Sequence, residues 1–347
     1  MKKILFLLLT LFTTRVMALD LTSYSKSAIM IEPTTNTVIY ELNKDERLAP
    51  ASMTKLMTML LIMESIDEGK INLSDTVLIS ENASGMGGSQ VFLEANSRIE
   101  VEQLLKGIAI ASGNDAAVAM AEHIAGSTSE FVNMMNKKVK DLGLKNTHFV
   151  NVHGLDADNH YSTAYDMAMI ARELLTHKKI LEYTSLYEDY LVKPDGTKTW
   201  LVNTNKLVRF YEGVDGLKTG YTSTAKYCLT STANKNNIRF ITVVKSSDIV
   251  SSVPVYKGKK KSIFVYPKED VTDLIKQNED KKYSYNIDTY DLKAPVRKGD
   301  VVGQLEIVDN SGKVVRIVDL VSKSSVEKHN FISMFGEMFR NIINGYV

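Results

Sequence analysis

The sequence predicts an α/β fold: an antiparallel sheet with a large helical insertion, then a small all-β domain and a C-terminal amphipathic helix. Three observations support this prediction. Strand-like runs lie on both sides of a long helical region within residues 19–250. Residues 251–328 form a series of short strand-like runs separated by polar turns. Residues 329–347 include apolar side chains that repeat at helical spacing.

Length, charge and cysteine content limit the possible functions. The 347 residues are enough for about two domains, and the formal net charge of +1 gives no indication of a nucleic-acid partner. The one cysteine, Cys228, excludes an internal disulfide and suggests no metal site. We therefore expect neither a cofactor nor a metal ion.

Residues 1–18 have the pattern of a secretory signal peptide. Lys2 and Lys3 precede the apolar run Ile4–Phe12, and Val16-Met17-Ala18 has small residues where a signal peptidase needs them. The alternative is a buried N-terminal helix, but the run has no amphipathic period and is too short to span a bilayer. We expect cleavage after Ala18 and a mature protein that works outside the cytoplasm.

The elements of residues 19–250 follow from periodicity. Two strand-like runs joined by a turn predict a hairpin at 27–32 and 37–42. Apolar residues at helical spacing predict helices at 53–66, 101–110, 116–124, 131–142 and 163–176. Three further strands are predicted at 215–221, 227–233 and 238–244. Because the helices separate two groups of strands, we expect strands from both ends to share one antiparallel sheet.

The last two segments differ from this domain. Strands are predicted at 253–256, 262–266, 283–287, 301–308 and 314–321. A helix over 331–347 would carry Phe335, Phe339 and Ile342 on one side and Glu337 and Arg340 on the other. This polar stripe excludes a membrane-spanning helix. We interpret 329–347 as a helix that lies on the outer leaflet of the membrane; docking on the protein's own surface is the alternative.

Three short motifs indicate chemistry. Ser-x-x-Lys occurs four times, at Ser23, Ser52, Ser223 and Ser325, but only Ser52 begins a helix with an apolar face. There the Lys55 amine could take the proton of the Ser52 hydroxyl, although on the motif alone an N-cap serine beside a solvated lysine is the favoured interpretation. Ser112-Gly113-Asn114 lies on a loop between helices, and Lys218-Thr219-Gly220 lies on a strand. A helix start, an interhelical loop and an edge strand can meet at one cleft.

Four longer strings carry a resemblance. They are Ala49-Pro50-Ala51-Ser52-Met53-Thr54-Lys55, Gly143-Leu144-Lys145-Asn146-Thr147-His148-Phe149, His153-Gly154-Leu155-Asp156 and Val214-Asp215-Gly216-Leu217-Lys218-Thr219-Gly220. With them the chain resembles the low-molecular-mass penicillin-binding proteins, the serine D-alanyl-D-alanine carboxypeptidases of peptidase S11 type. The resemblance runs from about Ser27 to the C-terminus with one gap. It implies a β-lactamase/transpeptidase-like fold for the catalytic domain.

The resemblance also implies roles for the motif residues. Ser52 would attack the penultimate D-Ala carbonyl and form an acyl-enzyme, with Lys55 as the base and Ser112 as the proton relay to the leaving amine. Burial and a nearby Lys218 ammonium would lower the pKa of Lys55. The substrate-binding residues would be Asn114, Lys218, Thr219, Gly220 and Tyr221. Lys218 and Thr219 would hold the terminal carboxylate, and the N–H groups of Ser52 and Tyr221 would form the oxyanion hole.

The implied partners are a peptidoglycan stem peptide ending in D-Ala-D-Ala, β-lactam antibiotics as covalent inhibitors, and the outer leaflet of the cytoplasmic membrane. His153 lies at the cleft margin in the family, but a turn histidine bonded to backbone is an equal alternative. A serine β-lactamase on the same scaffold is disfavoured, because the helix with Glu173 lacks the asparagine such enzymes carry. A catalytically impaired wall-binding homologue is the third possibility.

One departure from the family concerns the segment near 245–253. The family normally has an amphipathic helix there that covers one face of the sheet, whereas here residues 247–252 lead almost directly into the β-domain. Harmless trimming of this segment is one interpretation. The sharper hypothesis is that the sheet lacks part of its apolar cover, so that the catalytic domain is less stable than that of related enzymes. A thermal unfolding midpoint in the range usual for those enzymes would contradict this expectation.

Overall fold

The computed structural model describes residues 25–246, 251–257, 259, 262–269, 284–309 and 312–328. The predicted signal peptide, 1–18, and the predicted amphipathic helix, 329–347, lie outside the described residues. Within the described ranges, no helix has both the length and the apolar character needed to cross a bilayer.

The elements up to residue 184 alternate short strands with longer helices. In chain order they are β1 (Ser25–Glu32), β2 (Thr37–Leu42), a 3-10 helix (Ala51–Thr54), α1 (Lys55–Asp67), β3 (Thr76–Leu78), α2 (Glu81–Ser84), β4 (Arg98–Glu100), α3 (Val101–Ala109), α4 (Asn114–Ala125), α5 (Thr128–Asp141), α6 (Ala164–Leu174), a second 3-10 helix (Lys178–Ile180) and α7 (Leu181–Thr184). The five predicted helices are therefore present as α1 and α3 to α6.

The remaining elements are mostly strands. They are β5 (Glu188–Val192), β6 (Lys198–Val202), α8 (Leu207–Phe210), β7 (Val214–Thr222), β8 (Lys226–Lys235), β9 (Ile238–Ser246), β10 (Ser251–Tyr256), β11 (Ser262–Pro267), β12 (Ser284–Thr289), β13 (Leu292–Lys293), β14 (Val301–Val308) and β15 (Val314–Ser322). The sequence analysis does not predict the hairpin β5–β6, although Pro194-Asp195-Gly196 between its strands is a turn signal.

The first sheet confirms that strands from both ends of the domain pair with each other. Its order is β2-β1-β9-β8-β7, and each pairing is antiparallel. The N-terminal hairpin joins the later strands through β1 and β9, where Ile29 lies opposite Val243. β7 is an edge strand, so the strand with Lys218-Thr219-Gly220 has one side free to face a cleft.

Helix α1 is the centre of the core. Its residues from Lys55 to Met63 are all buried, so the helix is apolar on nearly every side and not on one face only. A helix of this kind is stable only when other elements surround it. Helices α3, α4, α5 and α6 contact it, and α6 also packs on the sheet strands β1 and β9. Lys55, the first residue of this helix, is thereby held inside the core, directly after the 3-10 helix that contains Ser52.

The second sheet has the order β12-β14-β15-β11-β10-β13 and its own apolar core. All five strands predicted after residue 250 are present, and only the two-residue β13 is additional. Between β9 and β10 the chain has four residues, 247–250, which are too few for the covering helix that the resemblance describes in the family. Phe240, Thr242 and Val244 on the outer face of β9 are only partly buried. The expectation of reduced stability stays a prediction.

Candidate active site

The Ser52-x-x-Lys55 motif begins on a 3-10 helix and not on the α-helix that its sequence predicts. Ser52 lies in the 3-10 helix Ala51–Thr54, and the α-helix begins only at Lys55, two residues later than Met53. In a 3-10 helix the side chains at i and i+3 eclipse each other, which brings Ser52 and Lys55 closer than an α-turn would. The Nζ atom of Lys55 lies 3.2 Å from the Oγ atom of Ser52.

The Lys55 amine is fully buried and makes two further hydrogen bonds. Its Nζ atom donates to Oδ1 of Asn114 at 2.6 Å and to the backbone oxygen of His153 at 2.8 Å. Burial holds the pKa of Lys55 well below its usual value, the Lys218 charge lowers this pKa further, and Asp115 opposes the shift. A neutral amine that donates two hydrogens to Asn114 and His153 keeps its lone pair for the Ser52 hydroxyl.

Asn114 connects Lys55 to the glycine-rich loop at residues 84–89. Its Nδ2 atom donates to the backbone oxygen of Gly87 at 2.7 Å, and its backbone N–H donates to Ser89 O. The side chain therefore positions the Lys55 amine, a role that the resemblance does not assign to it. The Nδ2 group has a second hydrogen, and the predicted bond to a substrate amide stays a prediction.

Ser112 is a buried residue whose hydroxyl forms no hydrogen bond to another described residue. The residue is buried and adopts φ +65°, a left-handed conformation that is uncommon for serine. Its Oγ atom has no hydrogen-bond partner within the described part of the chain. Buried hydroxyls are nearly always paired, and exceptions often have a catalytic role.

The third motif lies on the edge strand β7. Lys218 is buried, its Nζ atom donates to the backbone oxygen of Thr219 at 3.0 Å, and burial lowers its pKa to about 7. A Cβ atom at Gly220 would lie 2.9 Å from the backbone nitrogen of Ser52, so only glycine allows the strand to come this close. Tyr221 is 57% exposed and packs against Tyr227, with ring centroids 4.6 Å apart and ring planes tilted by 42°.

The turn at residues 151–156 contacts both the Lys55 amine and the backbone next to Ser52. Oδ1 of Asn151 accepts the N–H groups of His153 and Gly154, which turns the His153 carbonyl towards Lys55. Gly154 packs against the Ala51 carbonyl so closely that a Cβ atom would overlap it. The ring of His153 accepts the N–H of Leu155, as expected for a turn histidine. His153 thus reaches Lys55 through its backbone oxygen and not through its ring.

Three residues near the motifs are missed by the sequence analysis. Asp115 accepts the N–H groups of Val91 and Leu93, Asn151 forms the turn just described, and His160 contacts Thr54. The spacing Asn-x-His-Gly is a typical Asx-turn signal and could have identified Asn151. The other two act across long stretches of sequence, so no local pattern indicates them.

Two buried histidines predict acid sensitivity. Burial is the main cause that lowers the pKa of His153 and of His160 from 6.5 to about 4. The unfolded chain therefore binds protons that the folded chain does not, and the stabilising contribution is complete above pH 6.5 and lost as the pH falls towards 4. For the well-buried His160 we expect a loss on the order of 2 kcal/mol by pH 5. Urea unfolding at pH 8, 6 and 5 should show this loss, and it should be smaller in His160→Gln. An equal loss in the variant would contradict the assignment.

Two family models match the chain. The model described as D-alanyl-D-alanine carboxypeptidase matches residues 13–248, and that of the penicillin-binding protein 5 C-terminal domain matches residues 240–328. The chain is 47% identical to the D-alanyl-D-alanine carboxypeptidase DacF of Bacillus subtilis, over 90% of this chain and 89% of that protein. It is 34% identical to DacA of Escherichia coli, over 88% and 85% of the two chains.

Solved structures give the same relationship. Penicillin-binding protein 5 from Haemophilus influenzae aligns with a TM-score of 0.61 and 30% identity, covering 88% of this chain and 98% of that one. A peptidoglycan synthesis regulatory factor (PBP3) from Streptococcus pneumoniae aligns with a TM-score of 0.60 and 27% identity, covering 88% and 99%. The fold is therefore that of the penicillin-binding proteins, as the resemblance implies. Taken with the family model that matches residues 13–248, these relationships show that the chain belongs to the D-alanyl-D-alanine carboxypeptidases of peptidase family S11.

Proposed function

We propose that this protein is a serine D-Ala-D-Ala carboxypeptidase that removes the terminal D-alanine from peptidoglycan pentapeptides through an acyl-enzyme on Ser52. The observation that carries the proposal is the buried amine of Lys55, 3.2 Å from the Ser52 hydroxyl and with a lowered pKa. A neutral amine at this distance can act as the base at neutral pH.

In the acylation step, Lys55 takes the proton of Ser52 while the Ser52 oxygen attacks the penultimate D-Ala carbonyl. The oxyanion is stabilised by the backbone N–H groups of Ser52 and Tyr221. The close approach of Gly220 to the Ser52 nitrogen supports this arrangement, because it brings the segment that carries the Tyr221 N–H close in space to the Ser52 N–H.

The leaving D-Ala needs a proton and an anchor. The hydroxyl of Ser112 passes the proton to the leaving amine, and its lack of a partner in the described residues supports this role. Lys218 and Thr219 bind the terminal carboxylate. Because the pKa of Lys218 is about 7, a bound carboxylate would favour its charged form and strengthen the ion pair. Water then hydrolyses the acyl-enzyme.

The direct test is D-Ala release from a D-Ala-D-Ala pentapeptide by the mature chain, residues 19–347. We expect release together with long-lived labelling by a fluorescent penicillin. Rapid turnover of the label without D-Ala release would instead assign a β-lactamase. Absence of both would assign a catalytically impaired wall-binding protein.

We further propose that the protein is exported and lies on the outer face of the cytoplasmic membrane. The signal pattern of residues 1–18 and the amphipathic pattern of 329–347 support this location. In the same proposal, 19–250 is the catalytic domain and 251–328 is the small all-β domain. Acting on stem peptides there, the enzyme contributes to cell-wall synthesis and cell shape.

Deletion of residues 329–347 is expected to release the mature protein from membranes. The reason is that this segment supplies the apolar face that would enter the headgroup region. Sedimentation with vesicles of mixed zwitterionic and anionic lipids measures the effect. The full mature chain is the control, and D-Ala release should be unchanged by the deletion. Equal sedimentation of both chains would contradict the anchor.

A further inference from the structure

His160, which is distant in sequence, contacts the Ser52-x-x-Lys55 motif at Thr54. Thr54 lies between Ser52 and Lys55, and its side chain is fully buried. The Thr54 hydroxyl lies 2.8 Å from Nε2 of His160, which is also buried. The mechanism described above does not use either side chain.

The hydrogen-bond partners determine the tautomer of His160. The backbone N–H of Val150 can only donate, and it donates to Nδ1 of His160 at 2.9 Å. Nδ1 therefore carries the lone pair and Nε2 carries the hydrogen, so the ring donates to the Thr54 hydroxyl. Because burial lowers the pKa of His160 to about 4, the ring stays neutral and this direction holds at neutral pH.

The His160 ring is held in place by its surroundings. It packs against the fully buried Phe149, with ring centroids 5.8 Å apart. The adjacent Tyr161 forms a backbone bridge with His148, in which each residue donates to the other at 2.9 and 3.1 Å. A ring fixed by packing and by its neighbours can serve as a rigid support for Thr54.

The same segment also holds the chain on the other side of Ser52. Ser162 and Leu48 exchange two backbone hydrogen bonds, at 2.9 and 3.0 Å. His160 and Ser162 thus fix the chain at Thr54 and at Leu48, after and before Ser52. The 3-10 turn between these two points includes Ala51 at φ +47°, which is uncommon for a non-glycine residue. A turn of this kind persists only where its surroundings hold it.

We propose that His160 is a positioning residue for acylation: through its hydrogen bond to Thr54 it holds the Ser52 hydroxyl at the correct distance and angle from the Lys55 amine. The described hydrogen bonds of the His160 side chain go to Thr54 and Val150 and not to Ser52 or Lys55. The inference rests on the proposed function, because it concerns the rate at which Ser52 is acylated. Misplacement of reacting groups by about 1 Å is enough to slow a reaction by up to about 100-fold.

Two substitutions at residue 160 separate its two hydrogen bonds. Asparagine places an acceptor near the position of Nδ1 and keeps the bond to Val150, but it cannot reach Thr54. Glutamine places a donor near the position of Nε2 and keeps the bond to Thr54. We expect His160→Asn to lower the limiting rate of acylation by about 10-fold or more, and His160→Gln to restore most of it.

Single-turnover labelling with a fluorescent penicillin at several concentrations gives the limiting rate and the non-covalent affinity separately. We expect His160→Asn to change the rate and to leave the affinity unchanged. The matched control is His148→Asn, because His148 is an exposed histidine near the same segment and its ring bonds only to the Asn159 backbone oxygen among the described hydrogen bonds. A normal limiting rate in His160→Asn, or a loss of affinity alone, would overturn the proposal.

Substitution of Thr54 provides an independent test if the His160 variants do not fold. Thr54→Val keeps the shape and removes the hydroxyl, so it should lower the limiting rate like His160→Asn, whereas Thr54→Ser should restore it. The double variant Thr54→Val/His160→Asn should be no slower than the slower single variant, since both remove one interaction. Fully additive losses would argue against the proposal. A wild-type chain that neither labels nor releases D-Ala would contradict the proposed function instead.

Discussion

Replacement of Ser52 by alanine is expected to abolish covalent labelling by fluorescent penicillin and to lower D-Ala release by roughly 10⁴-fold or more. In the proposed mechanism this hydroxyl forms the acyl bond, and among the described hydrogen bonds it is the one side-chain hydroxyl at the Lys55 amine, 3.2 Å away. Folding should be unaffected, because removal of one hydroxyl leaves the 3-10 turn in its surroundings. The urea unfolding midpoint checks this point.

The chain contains a matched control for this experiment. Ser223 and Lys226 have the same Ser-x-x-Lys spacing, but Ser223 is exposed on the turn between β7 and β8. Ser223→Ala should label and release D-Ala like the wild type. If Ser52→Ala keeps a labelling rate close to that of the wild type, the nucleophile lies elsewhere and the acyl-enzyme proposal fails.

Replacement of Gly154 by alanine is expected to have the second largest effect. The new Cβ atom would overlap the carbonyl of Ala51 and lie 2.9 Å from the nitrogen of Ser52, both of them backbone atoms that cannot rotate away. The residue also has φ +93°, which strains any L side chain. We expect a loss of about 3 kcal/mol in the free energy of unfolding. The displaced carbonyl of His153 should also slow acylation.

Gly143→Ala separates backbone strain from collision. Gly143 has φ +68°, but a Cβ atom there would meet nothing within 4 Å. This control should therefore lose only about 1 kcal/mol and should acylate normally. Urea unfolding and the single-turnover labelling rate measure the two effects. Equal results for Gly154→Ala and Gly143→Ala would show that the close packing of residue 154 on the nucleophile turn is unimportant.

Three elements that are distant from one another in sequence meet at Ser52 and Lys55. The turn at residues 151–156 supplies the His153 carbonyl, β7 approaches through Gly220, and α4 supplies Asn114. None of the three contacts is made by the residues adjacent to Ser52. The distance between the Ser52 hydroxyl and the Lys55 amine therefore depends on parts of the chain that are distant in sequence.

Most of the fold follows from local patterns. The five helices, the strands of both sheets except β13, and the pairing of the N-terminal hairpin with the later strands agree with periodicity and element order. The hairpin β5–β6 is missed because its strands are five residues long and only half-buried, so they alternate weakly. Helix α1 begins two residues later than predicted, because a 3-10 turn cannot be distinguished by composition from the first turn of an α-helix.

The sequence by itself determined the candidate site residues, since Ser52, Lys55, Ser112 and Lys218 lie in motifs short enough to read directly. Only the tertiary structure decided which groups contact these residues and in which direction the lysine pKa values shift. Asn114 bonds to Lys55, the His153 carbonyl and not its ring reaches that amine, and His160 supports Thr54. The physical reason is that a lowered pKa and a fixed distance depend on burial and on contacts between distant segments, and neither is encoded in a local pattern.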